Sequence, residues 1–302
     1  MNWVWLSLGG YLLLALVYIL DKLIVSKAAV KPAVYTFYST IFLWGAIFIL
    51  PFTGFQLLNG QDWLWAVVSG VSFGCGLGAS YLAMKKGEIS HIGPFIGALV
   101  MVDLFFLGKY FLGEQLTVGQ MGGGALLALA CLLLSFEKSR NHHGFHIGFL
   151  WAFLAAFLFA VSHVSAKFLY TQYPFWTGFA WTRTMTGLVG LALLLVPTVR
   201  RSWKRSTKEA KGYAHRHAKA IVLGDKILGV AAVVILQLAM SQGPVALVGA
   251  LAGGQYLFIF FLVFLFSKFF PHWFKEYFTK QEIILELVAL LLVVLGSALV
   301  VF

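Results

Sequence analysis

Leu82-Ala83-Met84-Lys85-Lys86-Gly87 recurs 156 positions later as Leu238-Ala239-Met240-Ser241-Gln242-Gly243. Gly93, beyond the first copy, falls on Gly249 beyond the second. Each copy closes one long apolar run and leads into the next. Further pairs follow in the same order: Glu114-x-x-Thr117 is echoed by Glu276-x-x-Thr279, and Lys22 by Lys167. An ordered set of matches at long period marks an internal repeat. The chain therefore divides into two halves, residues 1–138 and 145–302.

What each half contains follows from composition. Of the 302 residues, 61% are hydrophobic and 11% are charged, where a soluble domain carries about a quarter charged residues. Mean hydropathy is +0.89. Too few polar side chains exist to cover a water-facing exterior, which excludes soluble, disordered and collagen-like classes. A membrane-spanning helix needs about 20 mostly apolar residues. The sequence offers ten such runs: Trp3–Leu20, Ala33–Ile49, Leu64–Met84, Ile89–Leu112, Val118–Phe136, Ile147–Leu169, Phe175–Val196, Ile227–Ser241, Val245–Phe266 and Ile284–Val301. Five fall in each half. An odd number makes the second half enter the bilayer from the opposite side. The expected fold is an all-α polytopic membrane protein with ten transmembrane helices as two inverted five-helix repeats. Secondary transporters use this design, with the substrate site near the midplane between the halves.

The excess of basic residues has two possible meanings. Lys and Arg number 22 against 11 Asp and Glu, a net charge of +11. On a soluble protein this suggests nucleic acid; on a membrane protein it records topology, because cytoplasmic loops collect Lys and Arg. The odd-numbered loops hold 19 of the 22, including Lys22, Lys85, Lys138, Lys226 and Lys275. Lys109 and Lys167 lie on the other side, and Arg183 lies within a run. The odd loops are expected to be cytoplasmic and both termini outside. Thr198 to Asp225 is a basic connection, expected as a solvated loop or an amphipathic surface segment. Cys75 and Cys131 lie in apolar runs and read as core residues rather than a disulfide. Met1 to Gly10 lacks Lys and Arg, so no cleaved signal is expected.

Ten runs in two halves, Leu82 to Gly87 closing the third run, and Leu112-Gly113-Glu114-Gln115-Leu116-Thr117 closing the fourth resemble the EamA-type transporters of the drug/metabolite transporter superfamily. The resemblance covers nearly the whole chain. It implies a multi-pass secondary transporter of the cytoplasmic (inner) membrane, often an exporter of amino acids, metabolites or drugs. That family usually keeps both termini in the cytoplasm, opposite to the charge count here. In the second half the motif is reduced to Phe274-Lys275-Glu276-Tyr277-Phe278-Thr279.

Ionisable groups at membrane depth are costly, and are usually functional or paired. Asp103 lies about nine residues before the end of the fourth run and Arg183 about eight into the seventh. At 1.5 Å per residue both sit roughly 12–14 Å from the same face. The expectation is that Arg183 binds an anionic substrate group, or pairs with Asp103 until substrate or a proton separates them; a permanent structural ion pair is the alternative. Asp103 and His163 are the candidate proton-coupling residues. Gln237, Gln255, Tyr256 and Thr186 are candidate substrate-binding groups, with inter-helix hydrogen bonding as the alternative. Thr182, Gly187 and Gly190 make the Arg183 helix small and polar, which suits a cavity lining or tight packing. Tyr81, Trp151 and Trp181 are candidate stacking groups. Glu114, Glu276, Gly87 and Gly243 read as structural motif residues, the carboxylates as clasps on backbone N–H groups at helix junctions. Pro94 is expected to loosen its helix. Glycines at 70, 74 and 78, at 93 and 97, and at 249 and 253 let helices approach closely.

Other chemistries find less support. His142, His143 and His146 cluster in a loop without the Cys or carboxylate spacing of a metal site. His-Glu-x-x-His is absent, Gly70-Val71-Ser72-Phe73 lacks the glycine that follows a membrane serine nucleophile, and paired intramembrane aspartates are missing. An enzyme is therefore not expected, nor a cofactor or metal. A flippase for a lipid-linked phosphate would use the same fold, with Arg183 on the phosphate. The expected partners are a small-molecule substrate and the lipid bilayer, not nucleic acid, with the protein a monomer or homodimer.

Overall fold

A computed structural model describes residues 2–27, 31–54, 56–86, 89–135, 147–206, 213–269 and 280–301. Gly87, Glu276, His142, His143 and His146 lie outside the described residues, as does the side chain of Lys22. Every regular element among the described residues is helical.

In the first half, α1 spans Asn2–Lys27 and α2 spans Pro32–Ile41. A tighter 3-10 stretch, Phe42–Ile49, carries α2 into the short α3, Leu50–Thr53. Then come α4 (Asp62–Lys86), α5 (Ile89–Leu112) and α6 (Val118–Ser135). In the second half, α7 spans Ile147–Gln172, α8 Phe175–Leu193, α9 Pro197–Ser206 and α10 Tyr213–Gln242. α11 (Val245–Ala250), α12 (Gly253–Phe269) and α13 (Lys280–Val301) complete the chain. Prolines set several starts: Pro32 opens α2, and Pro174 and Pro244 stand directly before α8 and α11, where a missing N–H costs nothing.

Among the described residues, six segments are long and apolar enough to cross a membrane: Asn2–Asp21, Pro32–Thr53, Asp62–Lys86, Ile92–Leu112, Ile147–Gln172 and Leu223–Gln242. Val118–Leu133, Val245–Tyr256 and Leu287–Val301 are shorter apolar helices. Large apolar side chains stay exposed along the outer faces, among them Phe106, Phe153, Phe157, Leu291 and Leu295. Contiguous exposure of this kind marks a surface that meets something other than water.

Two expectations about elements change. The eighth run was expected to start at Ile227, but its helix starts at Tyr213. Asp225 and Lys226 therefore lie inside α10 and not in a solvated connection: Asp225 is fully buried and Lys226 is 14% exposed. Lys226 thus drops out of the loop charge count. Pro94 does not interrupt α5, which continues through it. The break comes instead between α11 and α12, where Ala252, Gly254 and Gln255 donate to carbonyls only three residues back.

The helices pack most extensively as two pairs, α4 with α7 and α1 with α10; α5 also packs on α7, α1 on α12, and α6 on α13. Small residues make this possible. Ala152, Ala155, Ala156 and Ala160 are buried on α7, and Ser69 of α4 donates to the Ser162 carbonyl at 2.9 Å. Gly70 and Gly74 sit where a Cβ would strike Met185, Thr186 and Val189 of α8. On α8, Gly187 meets Trp44 and Gly190 meets Thr40 and Ile41. The small face beside Arg183 is therefore a packing seam, the second of the two expectations for it. A methyl group added at Gly70 must push helix backbone, and overpacking of this kind costs about 1–3 kcal/mol. Gly70→Ala should lower the melting temperature of the purified protein by several degrees. Gly122→Ala, with open space around its Cβ position, should leave it unchanged.

Candidate functional site

A cavity of about 260 Å³ lies between the two halves. The first half contributes lining from α1, the end of α2, α4 and the start of α5; the second contributes α7, α10 and the α11–α12 break. Its walls are mainly apolar, with polar groups concentrated at two levels. α10 carries one set at Asp225 and Lys226 and the other at Gln237, and its rise separates them by roughly 16 Å.

The deeper level holds four of the expected residues, His163, Gln237, Gln255 and Tyr256. Gln237 accepts from the Tyr170 hydroxyl at 2.8 Å, and its Nε2 lies 2.9 Å from His163 Nδ1. Both are satisfied within the protein, as the alternative reading held. The Tyr256 hydroxyl donates to the Gly93 carbonyl at 2.6 Å, linking the α11–α12 break to the start of α5. Thr186 donates to the Thr182 carbonyl at 3.2 Å and does not border the cavity.

Arg183 lies beside this level and is fully buried. Its guanidinium carbon sits 4.4 Å from the centroid of Phe73, which does line the cavity and also stacks edge-on to His163. Among the described residues none of the three guanidinium nitrogens has a hydrogen-bond partner. The expected pairing with Asp103 is not formed: no ion pair joins them, and Asp103 is half-buried on α5 and away from the cavity. Equal depth in the membrane did not bring them together, because they face different neighbours around their helix axes. Leu104 and Met101 are the inward positions of α5 there, with Asp103 on the flank beside the exposed Val102 and Phe106.

The shallower level was not foreseen. Asp21 of α1, Tyr35 of α2, and Asp225 and Lys226 of α10 form one cluster. Lys226 Nζ lies 2.9 Å from Asp225 Oδ2 and 3.7 Å from Asp21 Oδ1, and donates to the Tyr35 hydroxyl at 2.9 Å. The ammonium also sits 4.0 Å from the Tyr35 ring centroid. The Tyr35 hydroxyl bonds Asp21 and lies 3.2 Å from Asp225 Oδ2. Tyr81 stacks against Tyr35 and shares a hydrogen bond with Ser39 at 3.0 Å. One signal in the sequence pointed here: two of its four aspartates stand in Asp-Lys pairs, at 21–22 and 225–226, each at the edge of an apolar run.

At the far end the expected clasp is present, with a different target. Glu114 accepts from the backbone N–H groups of Val245 and Ala246 at 2.6 and 3.2 Å, so it caps α11 in the other half and not the helix that follows it in sequence. Lys167 donates to the Ser241 and Gly243 carbonyls at 3.2 and 2.9 Å, closing the end of α10. Gly243 lies where a Cβ would strike Trp3 of α1. Trp181, expected as a stacking group, donates to the Gln56 carbonyl at 2.9 Å.

No family model matches the chain. A 79-residue stretch, 26% of the chain, is 35% identical to a protein of Sinorhizobium sp. described as an uncharacterized transporter in the cobO 3' region. The match spans about half of that relative, 55% of its length. A solved crystal structure superposes over 100% of this chain and 99% of its own, with a TM-score of 0.68 at 18% identity. At that identity the likeness is one of fold.

A side-chain cap on a helix start is worth about 1 kcal/mol. Glu114→Ala leaves two buried N–H groups of α11 without an acceptor. It should lower the melting temperature by a few degrees, while Gln115→Ala, at an exposed neighbouring position, should not.

Proposed function

We propose that the chain is a secondary-active transporter of the drug/metabolite type. It works by alternating access, with ten spans arranged as two inverted five-span halves. The observation that carries this reading is the cavity, which draws its lining from corresponding helices of both halves. Under the repeat offset, α1 corresponds to α7, α4 to α10, and α5 to α11 and α12. The packing pattern obeys the same exchange: swapping the halves turns the pair α1–α10 into α7–α4, and α1–α12 into α7–α5. The relative described as a transporter and the full-length fold likeness support the reading, as does the resemblance to EamA-type proteins.

The substrate is a small polar metabolite or amino acid bearing an anionic group. A fully buried guanidinium with unpartnered nitrogens is a strong and specific receptor for carboxylate or phosphate. Phe73 separates it from the cavity at van der Waals distance, so the anion reaches Arg183 when that ring turns aside. Gln237, Gln255 and Tyr256 then line the rest of the solute. Rocking of the halves exchanges access. In the state described here, the Glu114 and Lys167 clasps hold the even-loop end together.

A ligand that binds the folded state stabilises it by an amount that grows with the logarithm of its concentration over Kd. Screening metabolites by thermal shift on the purified protein should reveal anionic ligands whose stabilisation is abolished in Arg183→Gln and kept in Asp103→Asn. Ligands that stabilise the Arg183→Gln variant as well as the parent would remove Arg183 from the site. Failure of every stabilising solute to exchange across proteoliposomes would overturn the transporter reading.

A further inference from the structure

We infer that the Asp21–Tyr35–Asp225–Lys226 cluster binds one exchangeable proton at one end of the cavity. In the transporter reading, on which this rests, it is the proton-coupling site in place of Asp103 or His163.

The argument begins with counting. Among the described residues two carboxylates share one ammonium, so with both acids ionised these groups carry an uncompensated negative charge. All of its members sit at or near full burial: Asp225 is 0% exposed, and the Asp21 and Lys226 side chains are 10% and 14% exposed. A net charge held away from water is costly, and a proton is the smallest ligand that removes it.

Hydrogen positions lead to the same conclusion. Tyr35 has one hydroxyl hydrogen and stands within bonding reach of Asp21 and Asp225. Lys226 already donates to that oxygen. Both carboxylate contacts are hydrogen bonds only when one acid is protonated and donates to the tyrosine, while the tyrosine donates to the other acid. The other Asp225 oxygen adds to the cost of the ionised form. This Oδ1 is buried without a hydrogen-bond partner among the described residues, and the residue borders the cavity. Among the described residues the titratable groups facing the cluster are Tyr18 on α1 and Tyr81 on α4, besides Tyr35 and Lys226 themselves.

Position gives the proton its consequence. The cluster ties α1 and α2 to α10 at one end of the cavity, and α1 and α10 form one of the two main helix pairs. With both acids ionised, two like charges face each other across the helices and Tyr35 can donate to only one of them. Protonation of one acid removes that repulsion and completes the Tyr35 link between α1 and α10, so loss of the proton weakens the tie. The proton arrives from water on the odd-loop side and leaves on the opposite side when access switches.

The test is pH-difference infrared spectroscopy on the full chain reconstituted in lipid vesicles, with and without sodium chloride. Acidification should produce the C=O stretch of a protonated carboxyl, absent in Asp21→Asn or Asp225→Asn and kept in Asp103→Asn. Asp225→Glu should shift the band and not remove it, which separates loss of the site from loss of the fold. With a ligand from the thermal screen, a one-unit pH gradient supports up to about tenfold accumulation for one proton per solute. That accumulation should vanish in Asp225→Asn while gradient-free exchange continues. A band unchanged in both Asn variants would overturn the assignment, as would a response to sodium alone or full accumulation in Asp225→Asn. A cluster band with no solute moved by any gradient would overturn the transporter reading and leave the proton site standing.

Discussion

In hydrocarbon a backbone amide has nothing but protein to bond, and the rest of this structure depends on that constraint. It makes the chain helical throughout its apolar runs, and it makes every interruption a problem to be solved locally. At the turn between α10 and α11, Pro244 and Gly243 stop one helix and start another at the edge of the cavity. Glu114 supplies the acceptor for the new helix start, and Lys167 supplies the donor for the old helix end. Glu114 follows the end of α5 and Lys167 belongs to α7. The Glu114 contact therefore also joins residues 1–138 to residues 145–302, while the Lys167 contacts stay within 145–302. At the α11–α12 break the solution differs: the backbone tightens to three-residue bonds, and Tyr256 reaches across to the Gly93 carbonyl.

The charges divide into three kinds once the helices are placed. Among the described residues Lys31, Lys85, Lys86 and Lys109 stand at or beside helix ends. Lys167 is a helix-end clamp. Arg183 and Lys226 are different from both. Arg183 has an aromatic ring for company and, among the described residues, no acceptor, whereas Lys226 has two carboxylates and a tyrosine. Arg183 lies beside the Gln237 level of the cavity, and along α10 that level stands roughly 16 Å from Asp225 and Lys226.

Much of this was legible in the sequence. The apolar runs located the helices, and the repeated Leu-Ala-Met-x-x-Gly located the turn that Lys167 and Glu114 hold. His163, Gln237, Gln255 and Tyr256 were singled out because polar groups in apolar runs are costly, and they do line the cavity. The Asp103–Arg183 pairing failed for a geometric reason. Helical rise fixes how deep a residue sits, but not which way it points around the axis, and Asp103 faces the flank of α5. The Asp21–Asp225–Lys226 cluster was missed because hydropathy ends a span where charges begin. α10 continues a further 14 residues toward its N-terminus, because Asp225 and Lys226 find partners on α1 and α2.

The sequence by itself determined the helical, strongly apolar class of the protein, most of its helical segments and the short set of polar residues within them. These follow from composition and from periods along one chain. Only the tertiary structure decided which of those residues meet. It set Arg183 against Phe73 and apart from Asp103, turned Glu114 toward α11, and brought Asp21, Tyr35, Asp225 and Lys226 together at one end of the cavity. Partnership depends on how helices rotate and cross, and close packing of glycines and alanines between helices sets that.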